Sequence, residues 1–524
     1  PVPIPNTEVK HCRGGNSRKA NQARRRVGSL PLGGLLFYLH GFMTFNPSML
    51  FDLEPEVGYY AEMRKQTDDK QGMTMKNTAT NMTTGNPLRL IVKFMFPLLL
   101  GNLFQQLYNI IDAAIVGQTL GAKALGAVGL STSVQFLVLG FCAGAMTGFA
   151  IPCASSFGAN RESRMRRFIY NGILLTVVLA VILTVTTALL TRTILIMLQA
   201  PQELFNDAYA YLLVIFLGIP AMLLYNYLGA VLRAIGDSKT PFWTLAFSSA
   251  LNIALDFYCI LVLRWGTAGA AIATVFSQSV SAFLCWIYIR KKVEILCIRK
   301  EEKGFDPDLC RILLNMGIPM GLQFSITAIG SMIMQAANNG LGTIYVAGLA
   351  AAVKIKIFTM SPFDALAAAV ATFIAQNDGA HQIQRLDKGM KIGWRLAIVY
   401  GIIIGFVLFF AGRYLTMIFI NGTESEVLHV SERYLKALSF FYAILGLLIV
   451  TRMAIQGIGW SKRAMAAGII EMAARMTVSL WLVPLLGFTA ICIADQTAWI
   501  LATIYLIPTW YGAYAQAKQR AKQV

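Results

Sequence analysis

Two carboxylates, an amide and a hydroxyl lie within apolar segments of the chain, and together they could bind a small cation. These residues are Asp112, Asn252, Asp256 and Thr274. An ionisable side chain inside a membrane span costs about 2.5–3.5 kcal/mol, which makes each such side chain a candidate for function. Hard oxygen ligands suit Na⁺, and paired carboxylates suit a proton because each raises the proton affinity of the other. The sequence leaves both ions open.

Helical spacing predicts which of these side chains lie close together. Asn252 and Asp256 are one turn apart on a helix, and Gln105, Asn109 and Asp112 recur at i, i+4 and i+7. The second pattern predicts a supporting polar stripe on the first helix. At about 1.5 Å per residue, both acidic residues fall in the outer half of a hydrocarbon core about 30 Å thick. The alternative is a hydrogen-bonded polar plug that only joins its helices.

A second group of charged residues lies in the carboxy-terminal half of the chain: Lys354, Asp364, Arg452, Glu471 and Arg475. Glu471 and Arg475 are spaced i, i+4 and could neutralise each other. Lys354 and Asp364 are about 15 Å apart along a straight helix, too far for direct contact. The group is either a structural ion-pair network or a site for substrate or a proton.

Two prolines occupy matching places in the two halves of the chain, Pro97 and Pro319. A proline inside a helix removes a hydrogen bond and kinks the helix. Bending at Pro97 could close a cavity when the cation site is protonated. A fixed packing kink is the alternative.

Motifs for covalent chemistry and for metal binding are missing from the sequence. The eight cysteines contain no CxxC pair, no HExxH motif occurs, and no GxxxxGK[ST] loop is present. We therefore predict that the protein is not an enzyme and has no catalytic residue, no resident metal and no cofactor beyond a bound Na⁺ or H⁺.

The composition is that of an integral membrane protein. Of 524 residues, 56% are hydrophobic and only 14% are charged, whereas a soluble protein carries about 25% charged residues. The apolar blocks are long enough to span a bilayer, which takes about 20 residues each. We predict twelve helices, near residues 88–115, 124–154, 166–190, 203–230, 241–263, 266–290, 311–338, 346–376, 388–411, 427–456, 463–485 and 488–514.

The net charge of +19 is concentrated in alternate loops, as around Arg166, Arg233 and Arg385. This asymmetry is typical of cytoplasmic loops. It predicts a multi-pass protein of the cell membrane with both termini in the cytoplasm and the lipid bilayer as its main partner. A nucleic-acid binder would instead show one basic face interleaved with aromatic residues, and we predict no nucleic-acid partner.

The predicted domains follow from these blocks. Residues 1–85 form a tail that we expect to be disordered or not native, with the start of translation at Met63, Met73, Met75 or Met82. Residues 86–290 form the first lobe, 291–310 a cytoplasmic linker, 311–515 the second lobe and 516–524 a basic cytoplasmic tail.

The two lobes are predicted to be copies of one another. Phe96–Pro97 corresponds to Ile318–Pro319, and Ile235–Gly236–x–Ser238–Lys239 corresponds to Ile458–Gly459–x–Ser461–Lys462. The offset stays between 221 and 223 residues along the chain. The fold class is therefore an all-α membrane protein of twelve transmembrane helices in two pseudo-symmetric six-helix lobes. Repeats with an even number of spans share one orientation, and transporters built this way bind substrate between the halves.

The chain resembles the MATE (multidrug and toxic compound extrusion) family over about residues 86–515. The resemblance lies in Gln105 to Asp112, Ser156 to Ala159, Arg233 to Ser238, Asn252 to Asp256 and Gln376 to Ala380. It implies alternating access and export of organic, cationic or amphiphilic compounds driven by Na⁺ or H⁺ antiport, without an obligate protein partner. It also implies that Asp112, Asn252, Asp256 and Thr274 form the cation site. The alternative function is a flippase for a lipid-linked precursor.

Overall fold

The computed structural model describes residues 80–198, 200–420 and 424–523; the predicted tail before residue 80 lies outside them. In the described part, ten helices are long and apolar enough to cross a membrane, and two bent helix pairs bring the number of spans to twelve. The helices are α1 Pro87–Gly121, α2 Lys123–Gly158, α3 Glu162–Met197, α4 Gln202–Leu217 with Ile219–Ala234, α5 Lys239–Val262, α6 Gly266–Lys292, α7 Pro307–Asn339, α8 Thr343–Gly379, α9 Ile383–Thr416, α10 Ser425–Ser439 with Tyr442–Gly457, α11 Ser461–Leu486 and α12 Phe488–Lys522.

The starts of α1 and α7 show how local sequence fixes these boundaries. Asn86 accepts a hydrogen bond from the backbone N–H of Leu88 at 3.0 Å, and Asp306 accepts one from Asp308 at 3.1 Å. Such side chains satisfy N–H groups that have no partner inside the helix. A proline follows each cap, at a position where its missing N–H costs nothing.

The backbone confirms the predicted duplication. Residues with a positive backbone φ angle recur in both halves of the chain at a spacing of 221 or 223 residues. The pairs are Gly121 and Gly342, Asn160 and His381, Gly236 and Gly459, and Gly266 and Gly487. The bent pairs are matched as well, with α4 bent by 46° and α10 by 60°. The chain therefore forms two six-helix lobes, α1–α6 and α7–α12, as the sequence predicts.

The lobes pack closely at the end of the bundle that carries the basic loops, which we call the inner end. A Cβ atom at Gly158 on α2 would lie 1.9 Å from the carbonyl oxygen of Gln376 on α8. Ten residues before Gly158 on α2, a Cβ at Gly148 would lie 2.5 Å from Gly317 Cα on α7. Only glycine allows backbones to approach so closely. The outer part of α1 differs, because Gln105 and Asn109 are exposed there.

The segment Thr80–Gly85, which the sequence assigned to the tail, packs between the lobes at the inner end. Its Met82 is fully buried. The N–H of Met82 donates to Gln376 Oε1 at 2.8 Å, and the N–H of Thr80 donates to the carbonyl of Ile235 at 3.1 Å. Arg385 donates to the carbonyl of Met82 at 2.8 Å. The boundary at residue 85 was thus placed too late, because the backbone before α1 has hydrogen-bond partners in both lobes.

The linker between the lobes is docked by a buried ion pair. Arg166 on α3 donates through Nε to both carboxylate oxygens of Glu302 at 2.8 Å. Burial alone would raise the pKa of Glu302, but the N–H of Arg299 and the Arg166 guanidinium outweigh it and lower that pKa.

At the other end of the chain, α12 runs to Lys522, so most of the predicted tail 516–524 is helical.

Candidate cation site and charged network

The predicted cation site in the first lobe begins with Asn252 and Asp256 on α5. Their side chains lie one turn apart on the same face, and they are 2% and 0% exposed. Asn252 donates through Nδ2 to Thr274 Oγ1 on α6 at 3.4 Å. The amide, the hydroxyl and one carboxylate are therefore brought together by two adjacent helices.

Asp112 on α1 adds the second carboxylate. Its side chain and that of Asp256 face one another closely enough to interact directly. Among the described residues, the buried oxygens Asp112 Oδ1, Asn252 Oδ1 and both carboxylate oxygens of Asp256 receive no hydrogen bond. Buried acceptors without a donor are costly, and two adjacent carboxylates repel each other. A positive ion or a proton would relieve both penalties, and this oxygen set can bind either.

Two tyrosines complete the surroundings of the carboxylates. Tyr108, one turn before Asp112, lies near both acidic side chains and near Gln278 on α6. Tyr211 on α4 lies near Asp112 and near Gln135 on α2. None of these four residues was predicted to belong to the cation site. A signal was available for Tyr211, because another tyrosine, Tyr434, follows it at the repeat spacing of 223 residues.

The predicted stripe of Gln105, Asn109 and Asp112 does not form around the site. Gln105 and Asn109 are exposed, whereas Asp112 is half-buried. Asn109 contacts Gln106 at 3.4 Å on its own helix. The i, i+4, i+7 pattern covers a broad arc of α1, and only its last member turns into the lobe.

The charged residues of the second lobe form a continuous network across four helices. Arg452 pairs with Glu471 at 2.6 Å, and Glu471 pairs with Arg475 at 3.3 Å. Arg475 Nε then donates to Asp495 Oδ1 at 2.8 Å, and Lys356 Nζ contacts Asp495 Oδ2 at 2.7 Å. All five side chains are at most 13% exposed.

Two predicted residues, Lys354 and Asp364, form none of these ion pairs. Two residues that were not predicted, Lys356 and Asp495, belong to the network. Lys354 is exposed and lies over the ring of Phe419 at 5.4 Å. Lys356, two residues on, points to the opposite face of α8 and reaches Asp495 instead. Asp364 is exposed on α8 and faces Arg452. Asp495 could have been found, since it is a carboxylate inside a predicted span.

The predicted prolines lie in matching helices. Pro97 is inside α1 and Pro319 is inside α7, and each helix continues past its proline. A small cavity lies between the lobes near the inner end, with Thr147 and Arg233 on one side and Met320, Met453 and Gln456 on the other. Its wall is mostly apolar, with one guanidinium, one amide and the hydroxyls of Thr147 and Thr372.

Comparisons with known proteins agree with this architecture. The family profile MatE matches twice, at residues 97–258 and 319–481. The chain is 31% identical over 395 residues to the "Probable multidrug resistance protein YpnP" of Bacillus subtilis, covering 75% of this chain and 87% of that protein. It is 24% identical over 375 residues to an "FAD transporter" of Shewanella oneidensis, covering 70% of this chain and 81% of that protein.

A solved structure shows the same fold. It is described as the outward-facing conformation of a multidrug resistance MATE family transporter of the MOP superfamily. The TM-score is 0.79 at 20% identity, and the match covers 84% of this chain and all of that one. The two profile matches coincide with the two repeats that the backbone shows. The chain belongs to the MatE family and is a multi-pass membrane transport protein.

Proposed function

We propose that the protein is a secondary active exporter of organic, cationic or amphiphilic compounds, driven by Na⁺ or H⁺ antiport across the cell membrane. The observation that carries this proposal is the pair Asp112 and Asp256, whose buried oxygens lack hydrogen-bond donors among the described residues. The relatives are named for multidrug resistance and FAD transport. Those names favour export of small organic molecules over flipping of a lipid-linked precursor.

Cation binding acts first on the electrostatics of the first lobe. Two carboxylates in a medium of low dielectric repel each other, and an ion or proton between them converts repulsion into attraction. Because Asp112 lies on α1 and Asp256 on α5, the change draws the two helices together. Pro97 lies fifteen residues before Asp112 on α1, where a missing backbone hydrogen bond makes bending less costly. A shift of α1 then alters the wall of the space between the lobes.

The space between the lobes is suited to amphiphilic compounds. Methionine side chains such as Met320 and Met453 adapt to differently shaped apolar groups. Arg233 and Gln456 offer polar contacts at the same level. The basic loops predict that the inner end and both termini face the cytoplasm.

Transport in proteoliposomes tests the proposal. The purified protein is reconstituted, an Na⁺ gradient or an H⁺ gradient is imposed, and the movement of a fluorescent organic cation is followed. We expect one of the gradients to accelerate dye transport and Asp256→Asn to abolish the acceleration. Asp387→Asn is a suitable control, because Asp387 lies on α9 of the other lobe and pairs with Lys391 on its own helix. Transport that ignores both gradients, or a fully active Asp256→Asn variant, would show that the proposal is wrong.

A further inference from the structure

The two lobes place matching pairs of residues side by side. In the first lobe, Tyr211 lies near Gln135, and Asn252 donates to Thr274 at 3.4 Å. In the second lobe, the residues 221 or 223 positions later make the matching contacts: Tyr434 with Lys356 at 3.3 Å, and Arg475 with Asp495 at 2.8 Å. The charged network of the second lobe therefore occupies the place that the candidate cation site occupies in the first.

The chemistry of the two places is reversed. The neutral Asn252 and Gln135 of the first lobe are replaced by the cationic Arg475 and Lys356. The acidic residues of the first lobe are replaced as well: Asp112 corresponds to Met334, and Asp256 corresponds to Ser479. In the first lobe, buried oxygens lack hydrogen-bond donors among the described residues. In the second lobe, the side chains of Arg475 and Lys356 supply positive charge at the corresponding positions.

Arg475 has the contacts that a bound cation would make. Its guanidinium lies between two carboxylates, with Nε 2.8 Å from Asp495 Oδ1 and Nη2 3.3 Å from Glu471 Oε2. The side chains of Arg475 and Asp495 are 5% and 1% exposed. The hydroxyl of Tyr434 also donates to Asp495, at 2.6 Å. Arg475 thus bridges two buried carboxylates, as a bound cation would, while Lys356 and Arg452 each pair with one of the same carboxylates.

We propose that Arg475 is a tethered cation that holds the second lobe permanently in its cation-loaded form, so that the first lobe alone binds the coupling ion. The proposal rests on the proposed function, because it takes the first lobe as the ion-coupled one. A tethered cation would explain why the two repeats differ in charge. The first repeat changes its conformation when the ion binds, and the second repeat keeps one conformation and lines the other side of the substrate space.

Chemical rescue separates a tethered cation from an ordinary structural contact. Arg475→Ala removes the charge and leaves a cavity shaped for guanidinium. We expect dye transport to fall at least about ten-fold and to recover when millimolar guanidinium is added, whereas urea, which has the same shape without the charge, has no effect. Arg433→Ala is the matched control, since Arg433 is exposed and its guanidinium donates to Thr489, outside the network. A fully active Arg475→Ala variant, or equal effects of guanidinium and urea, would overturn the proposal.

Ion-binding stoichiometry gives a second test that does not depend on the folding of Arg475→Ala. We expect the wild-type protein to bind one coupling ion per chain, measured with radioactive Na⁺ or by proton uptake. The exchange Met334→Asp/Lys356→Gln/Arg475→Asn/Ser479→Asp/Asp495→Thr gives the second lobe the counterparts of Asp112, Gln135, Asn252, Asp256 and Thr274, and we expect the exchanged protein to bind two ions. Two ions on the wild-type protein, or one on the exchanged protein, would refute the tethered cation.

The two proposals fail in different ways. Failure of the proposed function appears as wild-type transport without any dependence on an ion gradient. Failure of the tethered cation appears as ion-coupled transport in which guanidinium does not rescue Arg475→Ala. We expect rescued transport to remain dependent on Asp256, because guanidinium would refill only the second lobe.

Discussion

The carboxyl groups of Asp112 and Asp256 face one another inside the first lobe, one carried by α1 and the other by α5. The two acidic side chains therefore bring the charge of the first helix of the lobe next to that of the fifth, and in the proposed mechanism the charge of the site sets the position of α1. Asn252 and Thr274 supply the neutral oxygens beside it. The neutral ligands distinguish the two possible ions, since Na⁺ needs several oxygens and a proton needs only one carboxylate.

The first prediction concerns Thr274. If the coupling ion is Na⁺, we expect Thr274→Val, which removes one oxygen at nearly constant volume, to raise the Na⁺ concentration for half-maximal transport about ten-fold, the equivalent of about 1.4 kcal/mol. If the coupling ion is H⁺, the variant should transport at the wild-type rate. The measurement is the rate of dye transport against Na⁺ concentration at fixed pH, and then against pH without Na⁺.

A second hydroxyl on α6 provides the control for Thr274. Ser279 donates to the carbonyl of Val275 on its own helix at 2.7 Å, so Ser279→Ala removes a hydroxyl without removing a contact between helices. We expect this variant to keep the wild-type dependence on Na⁺. A lower maximal transport rate of Thr274→Val, at saturating Na⁺ or under an H⁺ gradient, would mean that its hydroxyl only supports the packing of α5 and α6.

The second prediction concerns Gln376, whose side chain joins the two lobes. It accepts from the N–H of Met82 and donates to the carbonyl of Ala234, both at 2.8 Å, and it is fully buried. Gln376→Ala leaves these backbone groups without partners at a cost of about 1–3 kcal/mol each. We expect the inner end to open more often in this variant.

Spin labels measure this opening. Lys239 and Lys388 are exposed near the inner end on opposite lobes, and cysteines placed there carry the labels in a background without other cysteines. We expect a longer distance to gain population in Gln376→Ala. Gln384→Ala, an exposed glutamine on α9, should leave the distance distribution unchanged. An unaltered distribution in Gln376→Ala would show that its hydrogen bonds do not hold the inner end closed.

The third prediction concerns Glu302 in the linker. Because the pKa of Glu302 is lowered below its ordinary value of 4.5, its pairing with Arg166 stabilises the protein at neutral pH. That contribution is lost as the pH falls through the lowered pKa. We expect Glu302→Gln to reduce the free energy of unfolding by about 3 kcal/mol at neutral pH and to have little effect in strong acid.

Glu301 provides the matched control for this pair. It is the neighbouring residue but is exposed, so Glu301→Gln should leave the melting temperature in detergent unchanged. Limited trypsin digestion gives a second readout, because Lys300 and Lys303 flank the buried carboxylate. Slow digestion of Glu302→Gln, equal to that of the wild type at neutral pH, would contradict a docking role for the ion pair.

The sequence predicted the fold and the proximity of Asn252 and Asp256 because both depend on regular spacing; the cation-binding role of these residues stays a prediction. Asn252 and Asp256 share a face at i, i+4, and the repeats show up as a constant offset. The members of the second-lobe network depend on which face of α8 turns toward the interior of the lobe. Lys354 and Lys356 lie on opposite faces, and the sequence does not indicate which of them is buried. The pair of Arg166 and Glu302 is 136 residues apart in the chain, a separation at which no local pattern indicates contact. The positive φ angles of residues such as His381, which match between the two repeats, are seen only in the backbone of the structure.

The last prediction tests the close packing of the lobes at the inner end. A Cβ at Gly158 would lie 1.9 Å from the carbonyl oxygen of Gln376, far inside van der Waals contact, and the neighbouring backbone on α8 cannot move without separating the helices. We expect Gly158→Ala to prevent full closure of the inner end and to lower the transport rate at least about ten-fold. Gly129→Ala on the same helix is the control, since a Cβ there meets nothing within 4 Å. The two variants are compared for dye transport and for melting temperature. Normal transport by Gly158→Ala would show that the lobes do not need this contact during the cycle.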